Sequence, residues 1–244
     1  MKYEFISKGC LLLCRLLLLL VSSQAVAMSV QPMIKEIAPN GAKSQYRIQI
    51  DNPSAKALTI ELIPSRITMD INGKEQLLPA DDDLLVIPVT AIVPPGKSQS
   101  VIAQYIGDPL ISSSIAYQVT IKQVNVNLSG SSQSAIGIGV NFNTLLNVVP
   151  PAAQALLKVR SFKKAGKNWL LELENSGDRF ARISKTHWTI TDKSGAQIEL
   201  SGQDISKKLD GNLVLPHSIR LFKMDPLHNL SPDNVKHINI QAES

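Results

Sequence analysis

Hydrophobic and polar residues alternate with a period of two over residues 135–150. One face of this run carries isoleucine, valine, phenylalanine and leucine at most positions, and the other carries mainly alanine, glycine and asparagine. Only an extended strand sorts residues in this way, because successive side chains of a strand point to opposite sides of a sheet. The pattern predicts a strand from Ala135 to Pro150, which is long against the roughly five or six residues of an average strand.

Two interpretations of this strand are open at the level of sequence. An alternating strand of an all-β protein ordinarily covers its own core. A strand with one apolar face can also complete a partner's sheet, where backbone hydrogen bonds give affinity and alternate side chains give specificity. The run Ser129–Ser134 reads SGSSQS, a composition typical of a mobile segment, and it precedes the strand. This context favours the second interpretation.

Short alternating runs separated by turn signals fill the rest of the chain, and helical periodicity is nearly absent. Asn72-Gly73 lies between two apolar runs and predicts a hairpin turn, since both residues tolerate positive φ. The spacing of the runs predicts a seven-stranded sandwich for the first half. Pro150-Pro151 marks the passage to a second domain of the same style, because proline cannot donate to a sheet ladder. The prediction is an all-β protein with domains at residues 28–150 and 151–244.

The N-terminus has the composition of a secretion signal. Lys2, Lys8 and Arg15 precede the apolar run Leu16–Val21, and Ala25–Ala27 has the small-x-small form of a cleavage site. Residues 1–27 are therefore predicted to be a cleaved signal peptide that directs the chain across the inner membrane. The alternative is a membrane anchor, but the uninterrupted apolar run is far shorter than the roughly 20 residues that span a bilayer.

Cysteine content and charge limit the kinds of bond and partner that the chain can have. Both cysteines, Cys10 and Cys14, lie in the predicted signal, so the remaining chain has no thiol for a disulfide or a metal. The full chain has a formal net charge of +5, and loss of the signal removes three basic residues and one acidic residue. The remaining lysines and arginines are scattered, so the charge pattern does not indicate a nucleic-acid partner.

No catalytic or metal-binding constellation is visible in the sequence. The four histidines fall in the second half without metal-ligand spacing. Gly137–Gly139 begins like a dinucleotide-binding loop, but Phe142 stands at the place of the third glycine and no helical pattern follows. Asp81–Asp83 lacks the remaining ligands of a calcium site. We therefore expect no enzymatic activity, no metal, no cofactor and no small-molecule substrate.

Several short motifs stand out along the chain. Those in the first half are Leu84–Pro88, Ile92–Val101, Tyr117–Gln123 and the long strand that ends at a proline. Those in the second half are Leu171–Gly177 and Val214–Pro216. Together these motifs resemble the periplasmic chaperones of the chaperone-usher pathway, which assemble surface pili. The similarity covers essentially the whole chain after residue 27 and is greatest to the archaic branch.

The resemblance implies two immunoglobulin-like β-sandwich domains in a boomerang arrangement. In this family the last strand of the first domain completes the open fold of a pilus subunit with alternate apolar side chains. Matched by distance from the strand-ending proline, these donors are Ile136, Ile138, Val140 and Phe142. The implied partners are pilus subunits and an outer-membrane usher, the implied compartment is the periplasm, and a self-capping homodimer is one state open to the free protein.

The family's better-known branch also binds the C-terminal carboxylate of its pilus subunits with two basic residues. Here Leu145 falls near the position of one of them, and Lys35 is the nearest basic residue in the first strand. Lys35 is thus the candidate carboxylate anchor, and a surface lysine is the alternative, because a shift of one residue turns a strand side chain to the opposite face. The arginine that often follows the Pro-Gly turn in the archaic branch is absent, and Ile102 stands at about that place.

Two other functions compete with a non-enzymatic chaperone. A structural pilus subunit or adhesin would usually lack its own last strand, whereas this chain has a long one. A secreted carbohydrate-binding β-sandwich would carry exposed aromatic residues on its loops, yet phenylalanine, tryptophan and tyrosine make up only 5% of the chain and mostly lie in strand patterns.

Overall fold

The computed structural model describes residues 28–124, 139–227 and 230–243. Regular structure in these ranges is almost entirely strand, with one short helix and three single turns of 3-10 helix. The all-β prediction is therefore confirmed. The predicted signal peptide and the run Ser129–Ser134 lie outside the described residues.

The first domain contains ten described strands and one 3-10 turn, Gly41–Lys43. In chain order the strands are β1 (Ser29–Gln31), β2 (Ile34–Ile37), β3 (Gln45–Asn52), β4 (Leu58–Met69), β5 (Glu75–Pro79), β6 (Leu84–Ile87), β7 (Thr90–Val93), β8 (Lys97–Tyr105), β9 (Ile115–Val124) and β10 (Asn141–Val148). The predicted count of seven is wrong, because the first segment is divided at Pro32 and the chain between β4 and β8 forms three short strands.

These strands form a sandwich of two sheets. One sheet has the order β1-β3-β8-β6, and the other has the order β2-β10-β9-β4-β5, with β7 also paired to β4. Every pairing is antiparallel except that of β2 with β10, which is parallel. Alternate apolar residues of both sheets fill the core between them, and Ile48, Ile60 and Tyr117 are fully buried there. The predicted hairpin turn at Asn72-Gly73 joins β4 to β5, and Gly73 has a φ of +79°.

The second domain repeats the sandwich style with smaller sheets. Its elements are β11 (Leu157–Ala165), β12 (Asn168–Asn175), β13 (Ala181–Arg182), β14 (Thr186–Asp192), β15 (Gln197–Ser201), α1 (Gly202–Ser206), β16 (Leu213–Val214), β17 (Ser218–Met224) and β18 (Val235–Ala242), with 3-10 turns at Ile183–Lys185 and Pro232–Asn234. The sheet orders are β11-β12-β17, β13-β16 and β15-β14-β18. Both tryptophans, Trp169 and Trp188, are buried in this second core. The chain thus has two immunoglobulin-like β-sandwich domains.

A buried asparagine ties the loops of each domain. In the first domain the Asn52 amide donates to the carbonyl oxygens of Lys56 and Val93, at 2.8 and 2.9 Å. In the second domain the Asn175 amide donates to two backbone carbonyls, and its side-chain oxygen accepts from two backbone N–H groups. Both side chains satisfy backbone groups that would otherwise be buried without partners.

The two domains share an interface. The backbone N–H of Ser114 donates to the carbonyl of Asp178 at 2.7 Å, and the Ser114 hydroxyl accepts from the N–H of Phe180 at 2.7 Å. An ion pair joins Arg179 to Glu36. A small apolar cluster lies between the domains and comprises Val149, Ala153, Phe180 and Leu213, with Met69, Leu145 and Leu215 packed against it. The domain boundary at Pro151 stays a prediction.

Candidate functional site

The inner face of β10 changes from buried to exposed along the strand. Val148, Leu146 and Thr144 are at most 1% exposed in the core of the first domain. Phe142 is partly buried at the margin of that core, and Val140, directly before the strand, is 45% exposed. The apolar face therefore continues past the end of the core that it helps to build.

The outer face of β10 shows the same division. Asn147 is fully buried, and Leu145 packs in the apolar cluster between the domains. Asn143 and Asn141, closer to the start of the strand, are exposed. Residues 145–148 are thus covered on both faces, whereas at residues 141–143 the outer face is exposed and the inner face is only partly covered, which gives one strand an anchored end and a free end.

One edge of the free end has no strand beside it in the described part of the chain. Strand β9 pairs along the whole of β10, whereas β2 pairs only from Leu145 onward. On the β2 side, Leu145 N–H donates to the Met33 carbonyl and Val149 N–H to the Ile37 carbonyl, both at 2.8 Å. Because backbone groups alternate in direction along a strand, those of Asn143 point to the same side. A further strand can pair there.

The open edge leads into a cavity between the domains. This cavity has a volume of about 510 Å³, and Asn143, Leu145 and Ile34 line it from the first domain. Arg182 and Arg220 line it from the second domain. Ile34 is 41% exposed at the start of β2, so apolar surface borders the edge as well as the strand itself. Glu75 and Asp210 line the cavity as well, so an extended chain laid along the edge would meet apolar groups and charged groups of both signs.

The four donor residues predicted from the resemblance are only partly within the described structure. Ile136 and Ile138 lie outside the described residues. Val140 and Phe142 lie on the inner side of the strand, one exposed and one partly buried. The predicted strand bounds are corrected in two respects: the described strand begins at Asn141, after Gly139 and Val140, and ends at Val148 rather than Pro150.

Lys35 lies on the inner side of β2, away from the cavity that holds the two arginines. It is exposed, and it stands opposite Leu146 and two residues before the buried Ile37, so alternation directs it to their side of the sheet. The residue after it, Glu36, takes the opposite side and pairs with Arg179. The role of Lys35 as an anchor stays a prediction.

Sequence reasoning missed Arg182 and Arg220, the cations that face the cleft. They lie in β13 and β17 of the second domain, far along the chain from β10. No local motif marks either residue, because only the packing of one domain on the other brings them to the open edge.

The polar residues on the inner face of β10 have a structural role. Thr144 is buried, and its hydroxyl donates to the carbonyl of Val119 at 3.2 Å. The Tyr46 hydroxyl lies near it in the same core, and burial raises the pKa of Tyr46 to about 12. Both groups are neutral at ordinary pH, so the anchored end of the strand introduces no charge into the core.

Ser113, His217 and Asp178 meet at the domain interface but do not form a catalytic relay. Both the Asp178 carboxylate, at 2.8 Å, and the Ser113 hydroxyl, at 3.1 Å, contact the same ring nitrogen of His217, Nε2. A nucleophile–base relay needs the hydroxyl and the carboxylate on different nitrogens. Hydrogen bonds from His217 and then Ser113 lower the pKa of Asp178. The contact joins the domains through polar groups.

Metal clusters and membrane-spanning helices are both absent from residues 28–124, 139–227 and 230–243. No group of three or more histidine, cysteine, aspartate or glutamate side chains is placed there to hold a metal ion. No helix in those ranges has the length and apolar character needed to cross a membrane.

Solved structures from fimbrial chaperone complexes share this fold. A chain from a chaperone–tip adhesin complex of CFA/I fimbriae gives a TM-score of 0.57 at 15% identity, covering 89% of this chain and 99% of that chain. One from the CsuC–CsuE chaperone–tip adhesion pre-assembly complex of archaic Csu pili of Acinetobacter baumannii gives 0.58 at 13% identity, covering 84% and 90%. One from the SafA pilin–SafB chaperone complex of Salmonella enterica gives 0.53 at 14% identity, covering 91% and 99%. No protein-family model and no curated protein matches the sequence.

Proposed function

We propose that this chain is a non-enzymatic periplasmic chaperone that stabilises pilus subunits by lending them the free end of β10 and the residues before it. The change along the inner face of β10, from the domain's own core to solvent, carries the proposal. The likeness in fold to chains from chaperone–adhesin and chaperone–pilin complexes supports the same function.

The anchored end of β10 allows the free end to be donated to a partner while the first domain stays folded. Strands β9 and β2 and the cluster between the domains hold residues 145–148. The preceding residues can therefore pair with another sheet without unfolding the first domain. Residues 141–144 are already extended within β10, so this part of the donor loses less conformational freedom on binding, which strengthens the complex.

The apolar donors supply enough free energy to hold an incomplete sandwich. Burial of one large aliphatic or aromatic side chain contributes roughly 1.5–3 kcal/mol, so four donors contribute on the order of 6–12 kcal/mol before association costs. Phe142 is already partly buried in its own domain, so its gain lies at the low end. The remaining donors, Ile136, Ile138 and Val140, would supply most of the total.

The proposal has further parts that follow from the resemblance in sequence. Residues 1–27 act as a cleaved signal peptide, the mature chain acts in the periplasm, and loaded subunits pass to an outer-membrane usher. Lys35 contributes to binding the C-terminal carboxylate of the pilus subunit, and a homodimer that buries the free end is the self-capped form of the empty chaperone.

The sharpest test replaces adjacent residues on opposite faces of the free end. Val140→Asp places a charge on the apolar face, and Asn141→Asp places the same charge on the polar face. Both positions are exposed, so both variants are expected to fold. Each is produced together with a secreted pilus subunit, and the pilin recovered with the chaperone is quantified.

We expect Val140→Asp to lose most of the recovered pilin and Asn141→Asp to retain it. If both variants recover as much pilin as the unmodified chain, donation through this face is wrong. If the unmodified chain recovers none and instead binds immobilised glycans, the chaperone function is wrong and the carbohydrate-binding alternative replaces it.

A further inference from the structure

Arg220 is a buried cation at the junction of the two domains. It lies in β17 and is only 6% exposed. One guanidinium nitrogen, Nη1, donates to the carbonyl of Leu213, and the group lies 4.5 Å from the ring centroid of Phe222. Its Nε has no hydrogen-bond partner among the described residues. Burial lowers the pKa of Arg220, while nearby carboxylates of both domains oppose that change without forming an ion pair with it.

The guanidinium is held between two glycines. Gly73 lies at the tip of the β4–β5 hairpin in the first domain, and Gly211 lies before β16 in the second. A Cβ atom at Gly73 would stand 2.5 Å from Nη2 of Arg220, and one at Gly211 would overlap the same nitrogen. A side chain at either glycine would therefore displace the guanidinium, and both glycines leave it the space that it occupies.

The backbone of the hairpin also contacts the second domain. The N–H of Leu221, next to Arg220, donates to the carbonyl of Ile71 at 2.7 Å. This bond and the Arg220–Gly73 contact lie side by side, and they hold the hairpin directly on β17. The hairpin belongs to β4, which pairs with β9, and β9 pairs with β10. A continuous set of hydrogen-bonded strands thus connects Arg220 to the candidate donor strand.

For stability alone this arrangement is not efficient. A buried guanidinium with an unused donor carries a desolvation cost, and an apolar side chain of similar volume often gives equal or better stability. What the guanidinium offers is a flat, rigid group that fits between two backbones where a branched apolar side chain does not. The geometry favours a role in placement over a role in stability.

We infer that Arg220 is a positioning residue that fixes the β4–β5 hairpin on the second domain and thereby sets how the first domain presents the open edge of β10. The first half of this inference concerns the domains alone. The second half rests on the proposed function.

Distances between spin labels test the first half. The only natural cysteines are Cys10 and Cys14, so labels at Lys97→Cys and Lys193→Cys, one exposed site in each domain, are unique once both are replaced by serine. The full chain is used throughout. We expect a narrow distribution of distances for the reference protein, and a mean shifted by several ångströms or a clearly wider distribution for Arg220→Met.

Glycine variants act on the same contact from the other domain. Gly73→Ala places a methyl group against the guanidinium at a φ of +79°, while Gly41→Ala imposes the same backbone strain at +73° with no atom within 4 Å. We expect Gly73→Ala to alter the distribution and Gly41→Ala to leave it unchanged. Adding Gly73→Ala to Arg220→Ala is expected to cause no further change, because the group it strikes is gone.

An unchanged distribution in Arg220→Met, or equal effects of Gly73→Ala and Gly41→Ala, would overturn the inference about the domains. If Arg220→Met does not fold, the comparison of the two glycine variants decides.

Recovery of a co-expressed pilin tests the second half, and we expect a several-fold loss in Arg220→Met, partly restored in Arg220→Lys. Altered distances with full recovery would overturn that half. Because the distances need no pilin, failure of the proposed function is seen separately.

Discussion

Truncation of Leu146 and of Val140 to alanine should have very different costs, although both lie on the inner face of β10. Leu146 is fully buried, and a Leu→Ala change at such a site costs about 2–5 kcal/mol, since it loses transfer free energy and leaves a cavity. Val140 is 45% exposed, so removing two methyl groups from it should cost less than about 1 kcal/mol. The difference between these two losses in the free energy of unfolding shows where along β10 the inner face stops being covered by the core.

Urea denaturation can follow each domain with its own fluorophores. After residue 27 the tyrosines are Tyr46, Tyr105 and Tyr117, all buried in the first domain, whereas Trp169 and Trp188 are buried in the second. With a urea dependence of about 2 kcal/mol per molar, a loss of about 3 kcal/mol lowers the midpoint by about 1.5 M. We expect that shift in the tyrosine signal of Leu146→Ala, and a smaller one in the tryptophan signal.

Pilin binding should show the opposite order of effects from stability, with the larger loss in Val140→Ala. Val140→Ala removes a side chain available to a partner, so recovered pilin should fall while the urea midpoint stays near that of the reference protein. Equal midpoints for Leu146→Ala and Val140→Ala would refute the division of β10 into an anchored end and a free end. So would a loss at Val140 as large as that expected for a buried core residue.

Three further predictions concern the loops and the interface. Asn175→Ala should lower the tryptophan-monitored free energy of unfolding by about 3 kcal/mol because it leaves three backbone groups unpaired, the Leu215 carbonyl keeping its bond from the Ser218 hydroxyl, while Asn168→Ala, a partly buried control on the same strand, should change it little; equal losses would contradict this. Asn147→Leu should raise urea stability by about 1 kcal/mol, since neither amide atom has a partner among the described residues, and a loss of that size would count against it. The lowered pKa of Asp178 contributes stability that is present above about pH 4 and is lost as pH falls through the folded pKa. Asp178→Asn should therefore be less stable than the reference at pH 6, and the difference should shrink progressively as pH falls below about 4; a pH-independent difference would refute the role of His217.

Much of the site could be predicted from alternation alone. The period of two assigns Val140, Phe142 and Leu146 to one face and Asn141 and Asn143 to the other, and the structure agrees wherever it describes them. Turn chemistry likewise predicted the β4–β5 hairpin. These features depend on neighbours within a few residues, and backbone sterics give the same answer in any fold.

Other features could not be predicted in this way. The count of strands in the first domain was too low because Pro32 divides the first segment between two sheets. The side of the sheet taken by Lys35 depends on its register against β10, which a single sequence does not specify. The cations Arg182 and Arg220 enter the cleft from the other domain, and no pattern near β10 signals them.

The amino-acid sequence by itself determined that this protein is built of strands, which side of β10 is apolar, and that no cysteine lies beyond residue 14. Only the tertiary structure decided where that apolar side stops being covered, which edge of β10 is open, and that Arg220 holds the two domains together. The reason is physical: alternation states which way a side chain points, but the atoms that cover it come from segments far away along the chain.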